Sequence, residues 1–284
     1  PAATKTEEYD GSSWASGPAS SNGAFYRMCA GFQNAAVAVG GRATNTDIGN
    51  MEIYNGSAWS AGTSAPINRY AGAGFGSGEN DFGNTAGLCS ATSTYYTTTA
   101  FYDGAAWSTG NNSLSAASYT SFGVGTTTNS AGRIGGYGPA YVSCTEEYNG
   151  ITWQYGDSSP QLMAITQNAG VPNAATIAGG YAGSECDAAF KYKKEYISPY
   201  TACVWTKGPA LDEPRVTPAG AGTQNAALAF GGYNPSPRSC TEEYNNGTSW
   251  SPGGSLITTR DQLGGAGTQN AGLAFGGDDP PATS

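Results

Sequence analysis

The chain has 284 residues, 12% of them charged, with 43 glycines, 15 prolines and a formal net charge of −9. Twelve lysines and arginines without a basic stripe would leave an acidic surface that repels phosphate, which argues against nucleic acid as a partner. No apolar run approaches the roughly 18 residues that cross a bilayer, and no charged-then-apolar leader opens the sequence, so a soluble protein without membrane insertion is expected. Disorder is the rival reading of a chain rich in Gly, Ser and Thr, but 18 Tyr, 9 Phe and 6 Trp favour a folded core built from short strands and tight turns.

The first element in chain order is TEEYDGSSW from Thr6, a short apolar-bearing run, an Asp-Gly step and a tryptophan. The same wording returns as TEEYNGITW from Thr145 and TEEYNNGTSW from Thr241. All six tryptophans belong to this pattern: Trp14, Trp59, Trp107, Trp153, Trp205 and Trp250, spaced 45, 48, 46, 52 and 45 residues apart. Their partners are Tyr9, Tyr54, Tyr102, Tyr148, Tyr196 and Tyr244, with a Tyr-to-Trp step of five residues in four copies, six in one and nine in another. The Asn-Gly or Asp-Gly step predicts a hairpin, with both central residues of a type I′ turn at positive φ.

Between successive tryptophans lies a second element, GFQNAAVAVGG at 31–41, GTQNAALAFGG at 222–232 and GTQNAGLAFGG at 267–277. SAGRIGG at 130–136 and VPNAATIAGG at 171–180 are weaker forms, and GNTAGLCSA at 83–91 has lost its double glycine. Small-residue segments precede it: RYAGAG from Arg69, RVTPAGAG from Arg215 and RDQLGGAG from Arg260. Each unit is thus four strands, an Ala/Gly strand, a strand ending in Gly-Gly, a Tyr strand and a Trp strand. Six such units predict an all-β, six-bladed β-propeller occupying 1–284 as a single domain, with small residues near the axis and Tyr and Trp between neighbouring blades. The chain starts with a Tyr and a Trp strand and stops after the other two, so residues 1–15 are expected to pair with 257–277 and close the ring.

The order Gly-Gly, Tyr about a dozen residues on, then Trp resembles the kelch motif over nearly the whole chain. The wording TEEY(N/D)G…W with GTQNAALAFGG also resembles the Ala/Gly-rich kelch-like arrays of virion structural and tail-fibre proteins from marine tailed bacteriophages. That resemblance implies a structural role in a virion or extracellular assembly, with host attachment.

Adjacent residues on a strand face opposite ways, so Glu242 and Glu243 cannot form an acid/base pair, nor can Glu7 and Glu8 or Glu146 and Glu147. One Glu of each pair is expected towards solvent and one bonded to a neighbouring strand or turn. With no histidine, His-based nucleophile activation and His-ligated zinc or copper fall away. The arginines are scattered, and Arg27, Arg69, Arg215 and Arg260 recur before the Ala/Gly strand as structural residues would. No catalytic residue, metal ligand or cofactor is assigned; Asp278 and Asp279 are expected in a solvated tail. Six cysteines permit disulfides, Cys186 with Cys203 being the expected pairing.

Departures from the repeat are the better functional clue. The loop after Gly180, YAGSECDAAFKYKK, is read as the longest; SGENDFGN after Gly76 interrupts the second unit, and STYYTTT follows it. Tyr137, Tyr181 and Tyr233 follow the Gly-Gly position and should rim one face; with Tyr95, Tyr96 and Tyr192 they are the candidate ligand-binding residues, suited to stacking on sugar. The expected function is a non-catalytic structural or adhesion module of a virion or extracellular assembly. Its partners would be other structural proteins or copies of itself, and a cell-surface glycan. A free lectin-like propeller is the alternative, and a glycan-active enzyme stands third.

Overall fold

The computed structural model describes residues 2–114, 122–138, 140–162, 164, 167–181, 183–197 and 200–279, with backbone only at 122, 167–168, 195–197 and 200–203. Its strands form six antiparallel four-stranded sheets and two small two-stranded ones. Blade 1 runs Met28–Phe32, Ala35–Val39, Met51–Tyr54, Trp59–Ala61 from the axis outwards, and blade 2 runs Ala73–Gly78, Asp81–Thr85, Thr99–Tyr102, Trp107–Gly110. Blades 3, 4 and 5 begin with the inner strands Phe122–Thr127, Gln167–Val171 and Ala219–Thr223. In blade 6 the inner pair Gly264–Thr268 and Ala271–Phe275 comes from the end of the chain and the outer pair Thr6–Tyr9 and Trp14–Gly17 from its start. Thr6 pairs with Phe275 and Glu8 with Leu273, so the ring is closed by hydrogen bonds between the two ends.

The inner strands touch their neighbours all the way round, and their composition follows from how closely they approach. A Cβ at Gly123 would stand 2.1 Å from the Gly74 carbonyl oxygen, and one at Gly265 would stand 2.7 Å from that of Gly220. Only small residues fit there. The Gly-Gly exits have positive φ at both residues, 63° and 104° at Gly40 and Gly41, and the second glycine ties blades together: Gly41 N–H donates to the Arg69 carbonyl and Gly232 N–H to that of Arg260. Tyr26, Ala71, Thr217 and Gln262 also lie near φ 55° although none is glycine. Their backbone explains it: Tyr26 N–H donates to the Gln262 carbonyl, Ala71 to Tyr26 and Gln262 to Thr217, a chain of hydrogen bonds around one mouth of the axis.

The repeated TEEY…W wording is a set of ties. The first Glu is buried and paired with a buried arginine within its own blade: Glu7 with Arg260 at 2.9 Å, Glu52 with Arg27 at 2.5 Å, Glu146 with Arg133 at 3.0 Å, and Glu242 with Arg215. Its carboxylate also accepts a backbone N–H of the incoming linker, from Ile257, Ser21, Leu114 or Asp212. The second Glu works between blades, accepting a phenol from the next one: Tyr54 to Glu8 and Tyr9 to Glu243 at 2.5 Å, Tyr192 to Glu147 at 2.7 Å. Neither Glu of a pair is thus left to solvent alone, which corrects the expectation for one of them. All six indoles reach back one blade. Trp14, Trp59 and Trp153 donate to the hydroxyls of Thr241, Thr6 and Thr99 at 2.9–3.0 Å, and Trp107, Trp205 and Trp250 to the carbonyls of Thr63, Asp157 and Pro209 at 2.7–3.2 Å.

Blades that lack the wording show what replaces it. In blade 2 the first Glu becomes Ala100, opposite Asn84, and Asn84 takes the Arg69 guanidinium. Pro66 stands three residues before Arg69, where Asp212 precedes Arg215, so the linker N–H that the carboxylate would accept is missing too. In blade 4 the same cross-strand pair is Ile177 and Phe190, both buried. Charge and apolar packing are interchangeable there because each satisfies its own partner.

Several sequence expectations change in the fold. Most Asp-Gly and Asn-Gly steps are not type I′ turns: only the glycine has positive φ, as at Gly11 (94°), while Asp10 caps the loop by accepting the N–H groups of Ser12 and Ser13. Asn246 and Gly247 alone, in the six-residue copy, are both at positive φ, 47° and 74°. The fourth unit's tyrosine is Tyr192 and not Tyr196, since Tyr192 pairs with Trp205 in a hairpin lengthened to Ala189–Ile197 and Tyr200–Lys207. The loop after Gly180 is correspondingly short, because AFKYKK is strand. SGENDFGN is the inner hairpin of blade 2, with an irregular register between Asp81 and Phe82, and Ala86-Gly87 takes the Gly-Gly place at φ 61° and 105°.

Candidate binding face

The linkers entering each blade and the loops after Gly-Gly emerge on one face, where isolated bridges join them: Phe25 with Arg42, Tyr70 with Leu88, Ala164 with Tyr181, Val216 with Tyr233, Asp261 with Asp278. The rim position after Gly-Gly therefore reads Arg42, Leu88, Tyr137, Tyr181, Tyr233 and Asp278 around the ring. Tyr137 and Tyr181 are brought into one cluster by Tyr141, a residue the sequence pattern did not single out; its ring lies 4.8 Å from Tyr137 and 5.7 Å from Tyr181. Burial beside two other phenols raises the Tyr141 pKa. Tyr233 stands apart from them at 37% exposure, bridged to Val216 and Pro237.

A second aromatic group lies on blades 1 and 2. Phe25 and Tyr26 are 5.9 Å apart, Tyr26 and Tyr70 6.1 Å, and the Arg42 guanidinium sits 5.4 Å over the Tyr70 ring. Two small hairpins crown it, Arg42–Ala43 with Thr46–Asp47 and Leu88–Cys89 with Thr94–Tyr95. They are joined by Ser90, whose N–H donates to Asp47 and whose hydroxyl accepts from Arg42. Tyr95 and Tyr96 are half-buried at this crown. Tyr192 is not on the face at all: it is 1% exposed and spent on Glu147. Residues such as Tyr26, Tyr70 and Arg42 were hidden because they follow no repeat; adjacency across a blade boundary is what groups them.

At the centre of the face opens an axial cavity of about 230 Å³ lined chiefly by Gly, Ala and Thr of the inner strands, with Tyr26, Thr217 and Gln262 at its mouth. Its lining offers shape, backbone carbonyls and threonine hydroxyls, together with Arg27, which is paired with Glu52, and the Cys29 thiol, which donates to the Gly265 carbonyl at 3.2 Å. Beside the mouth, Asp261 is buried next to Asp278 and accepts from Gln262 and Thr217; burial raises its pKa. Asp279 pairs with Lys5 at 2.7 Å, and no group of three metal-ligating side chains occurs among the described residues. Cys186 Sγ lies 3.4 Å from the Ser184 carbonyl oxygen, while the side chain of its expected partner Cys203 lies outside the described residues. No helix is long and apolar enough to cross a membrane, among the residues described.

No protein-family model and no curated protein matches the sequence. Solved structures do match: "Structure of YjhT" superposes with a TM-score of 0.73 at 12% identity, covering 92% of each chain. The chain is a six-bladed β-propeller. At this identity the likeness speaks for fold alone.

Proposed function

We propose that this propeller is a non-catalytic adhesion and assembly module whose loop face recognises glycan. The observation that carries this reading is the Tyr137–Tyr141–Tyr181 cluster, three half-buried phenol rings on loops held by a closed scaffold. Flat aromatic surface beside polar loops suits the apolar faces of sugar rings. The repeat's own charged side chains are engaged in pinning strands and blades, so recognition falls to the loops. The resemblance of the repeat wording to Ala/Gly-rich kelch-like arrays of phage fibres and virion proteins supports reading such a module as part of an extracellular particle, alongside other structural proteins.

A glycan array probed with the purified chain tests recognition. Saturable binding that falls at least tenfold in Tyr141→Ala, with melting unchanged, supports it; the absence of any binding sugar removes the recognition half of the proposal. Fixed stoichiometry with intact particles in native material supports the assembly half, and recovery only as a free protein would leave the lectin-like alternative.

A further inference from the structure

Each blade ends in an outer strand whose far edge is covered by no other strand among the described residues, and such an edge is a template for another chain. In five blades shortness blunts it. Trp14–Gly17, Trp59–Ala61, Trp107–Gly110, Trp153–Tyr155 and Ser249–Pro252 have three or four residues, and a glycine or proline stands at the end of each or just after it. Their hairpins turn at or next to the Tyr–Trp pair, as where Tyr9 faces Trp14.

Blade 4 departs from this before its tryptophan. Its outer strand, Tyr200–Lys207, has eight residues, and the ladder runs on from Lys193–Val204 to Ile197–Tyr200 beyond the Tyr192–Trp205 pair. Those five pairs carry the hairpin about 15 Å past Tyr192–Trp205, at roughly 3.3 Å per residue, on the side of the ring away from the aromatic loops. The Lys194 N–H still donates to the Asn173 carbonyl; past it no ladder covers the inner edge either, among the described residues. The added outer stretch, Tyr200–Val204, reads YTACV, with three strand-favouring residues and none of the charge, glycine or proline that blunts a natural edge.

We propose that a second copy of the chain pairs with this edge, Tyr200–Val204 running antiparallel to its own counterpart across a two-fold axis. Symmetry and charge name the occupant. A two-fold perpendicular to the sheet sets the edge antiparallel to its copy and closes at two chains, with the rings on opposite sides of the contact. With Tyr200 opposite the partner's Val204, the row through Lys193 and Val204 continues into the partner's Tyr200 and Ile197, so no lysine meets a lysine in line. The pairing extends the assembly half of the function proposed above and does not depend on its glycan half.

The test is sedimentation equilibrium of the full chain, with hydrogen exchange followed by mass spectrometry. A contact of this size is weak, so a monomer–dimer equilibrium is expected below about 1 mM chain, with the Tyr200–Val204 amides exchanging more slowly as dimer forms. Replacing 194–203 by Asn-Gly makes an ordinary hairpin, and Ala202→Lys sets two like charges beside the axis. Each should weaken dimerisation at least tenfold with melting unchanged. The proposal is overturned by a chain that stays monomeric at about 1 mM, by dimers that persist undiminished in either folded variant, or by exchange at Tyr200–Val204 that ignores concentration. Should the shortened hairpin fail to fold, Ala202→Lys decides. A chain that dimerises this way yet never accompanies particles would sustain the pairing and remove the particle reading.

Discussion

Tyr9 Oη donates to Glu243 Oε1 at 2.5 Å across the boundary between blade 5 and the blade that closes the ring, joining residues 234 positions apart in sequence. This one contact uses the second Glu of one TEEY copy and the Tyr of another, which is why the wording must repeat as a unit.

Removing the phenol leaves a half-buried carboxylate short of a donor. Tyr9→Phe is expected to cost about 1.5–3 kcal/mol, the usual worth of a hydrogen bond to a charged group. Tyr244→Phe, whose hydroxyl is satisfied by the Gly247 carbonyl in its own turn, should cost less. Chemical denaturation of both variants checks this, and equal losses would contradict a special role for the inter-blade tie.

The same tie gives an alkaline limit. Burial, then the hydrogen bond to Glu243, raises the Tyr9 pKa from 10.0 to about 12, and Tyr54 is raised for the same reasons with Glu8. A raised folded-state pKa means that the unfolded chain loses its proton first, so the stabilisation is whole below pH 10 and is lost as pH climbs through about 12. Melting temperature should fall over that window, and less steeply in a Tyr9→Phe, Tyr54→Phe double variant. A parallel fall in both proteins would assign the limit to other groups.

Arg215 and Glu242 are buried together, so removing one charge strands the other. Glu242→Ala should destabilise by about 3–5 kcal/mol. Replacing both by apolar residues should recover most of that loss, as the cross-strand pair Arg133–Glu146 of blade 3 is replaced by the apolar pair Ile177–Phe190 in blade 4. A double replacement as damaging as the single one would show that the pair contributes more than mutual satisfaction.

Trp153 is 3% exposed, packs against Phe75 of the preceding blade and donates to Thr99. Trp153→Ala is expected to cost about 3–5 kcal/mol, whereas Trp107→Ala, on a half-buried ring, should cost less. An unchanged melting temperature in Trp153→Ala would refute the inter-blade reading of the tryptophans.

Deleting residues 1–17 would expose the edge of Ala271–Phe275 and the face of blade 5 that Trp14 covers. Aggregation or loss of cooperative melting is expected. A truncated chain that stays monomeric and melts as the full one does would show that the ring does not need its closing strands.

The sequence by itself determined the number of blades, the four-strand order within each and the closure by the two ends, because these follow from spacing, Gly-Gly exits and the Tyr-to-Trp step, all local signals. The close approach of the inner strands was legible for the same reason, as runs of Ala and Gly. Tertiary structure decided which atoms the repeated residues meet. Only there do Glu242 and Glu243 part company, one to an arginine of its own blade and one to the next blade's phenol. Only there does Arg133 stand in for a linker arginine, and Tyr192 displace Tyr196 through a ladder lengthened beyond the usual hairpin. The aromatic face was equally out of reach, since it is assembled from residues of adjacent blades. Contacts across a blade boundary depend on ladder register and blade stacking, and no local pattern along the chain encodes who stands opposite whom.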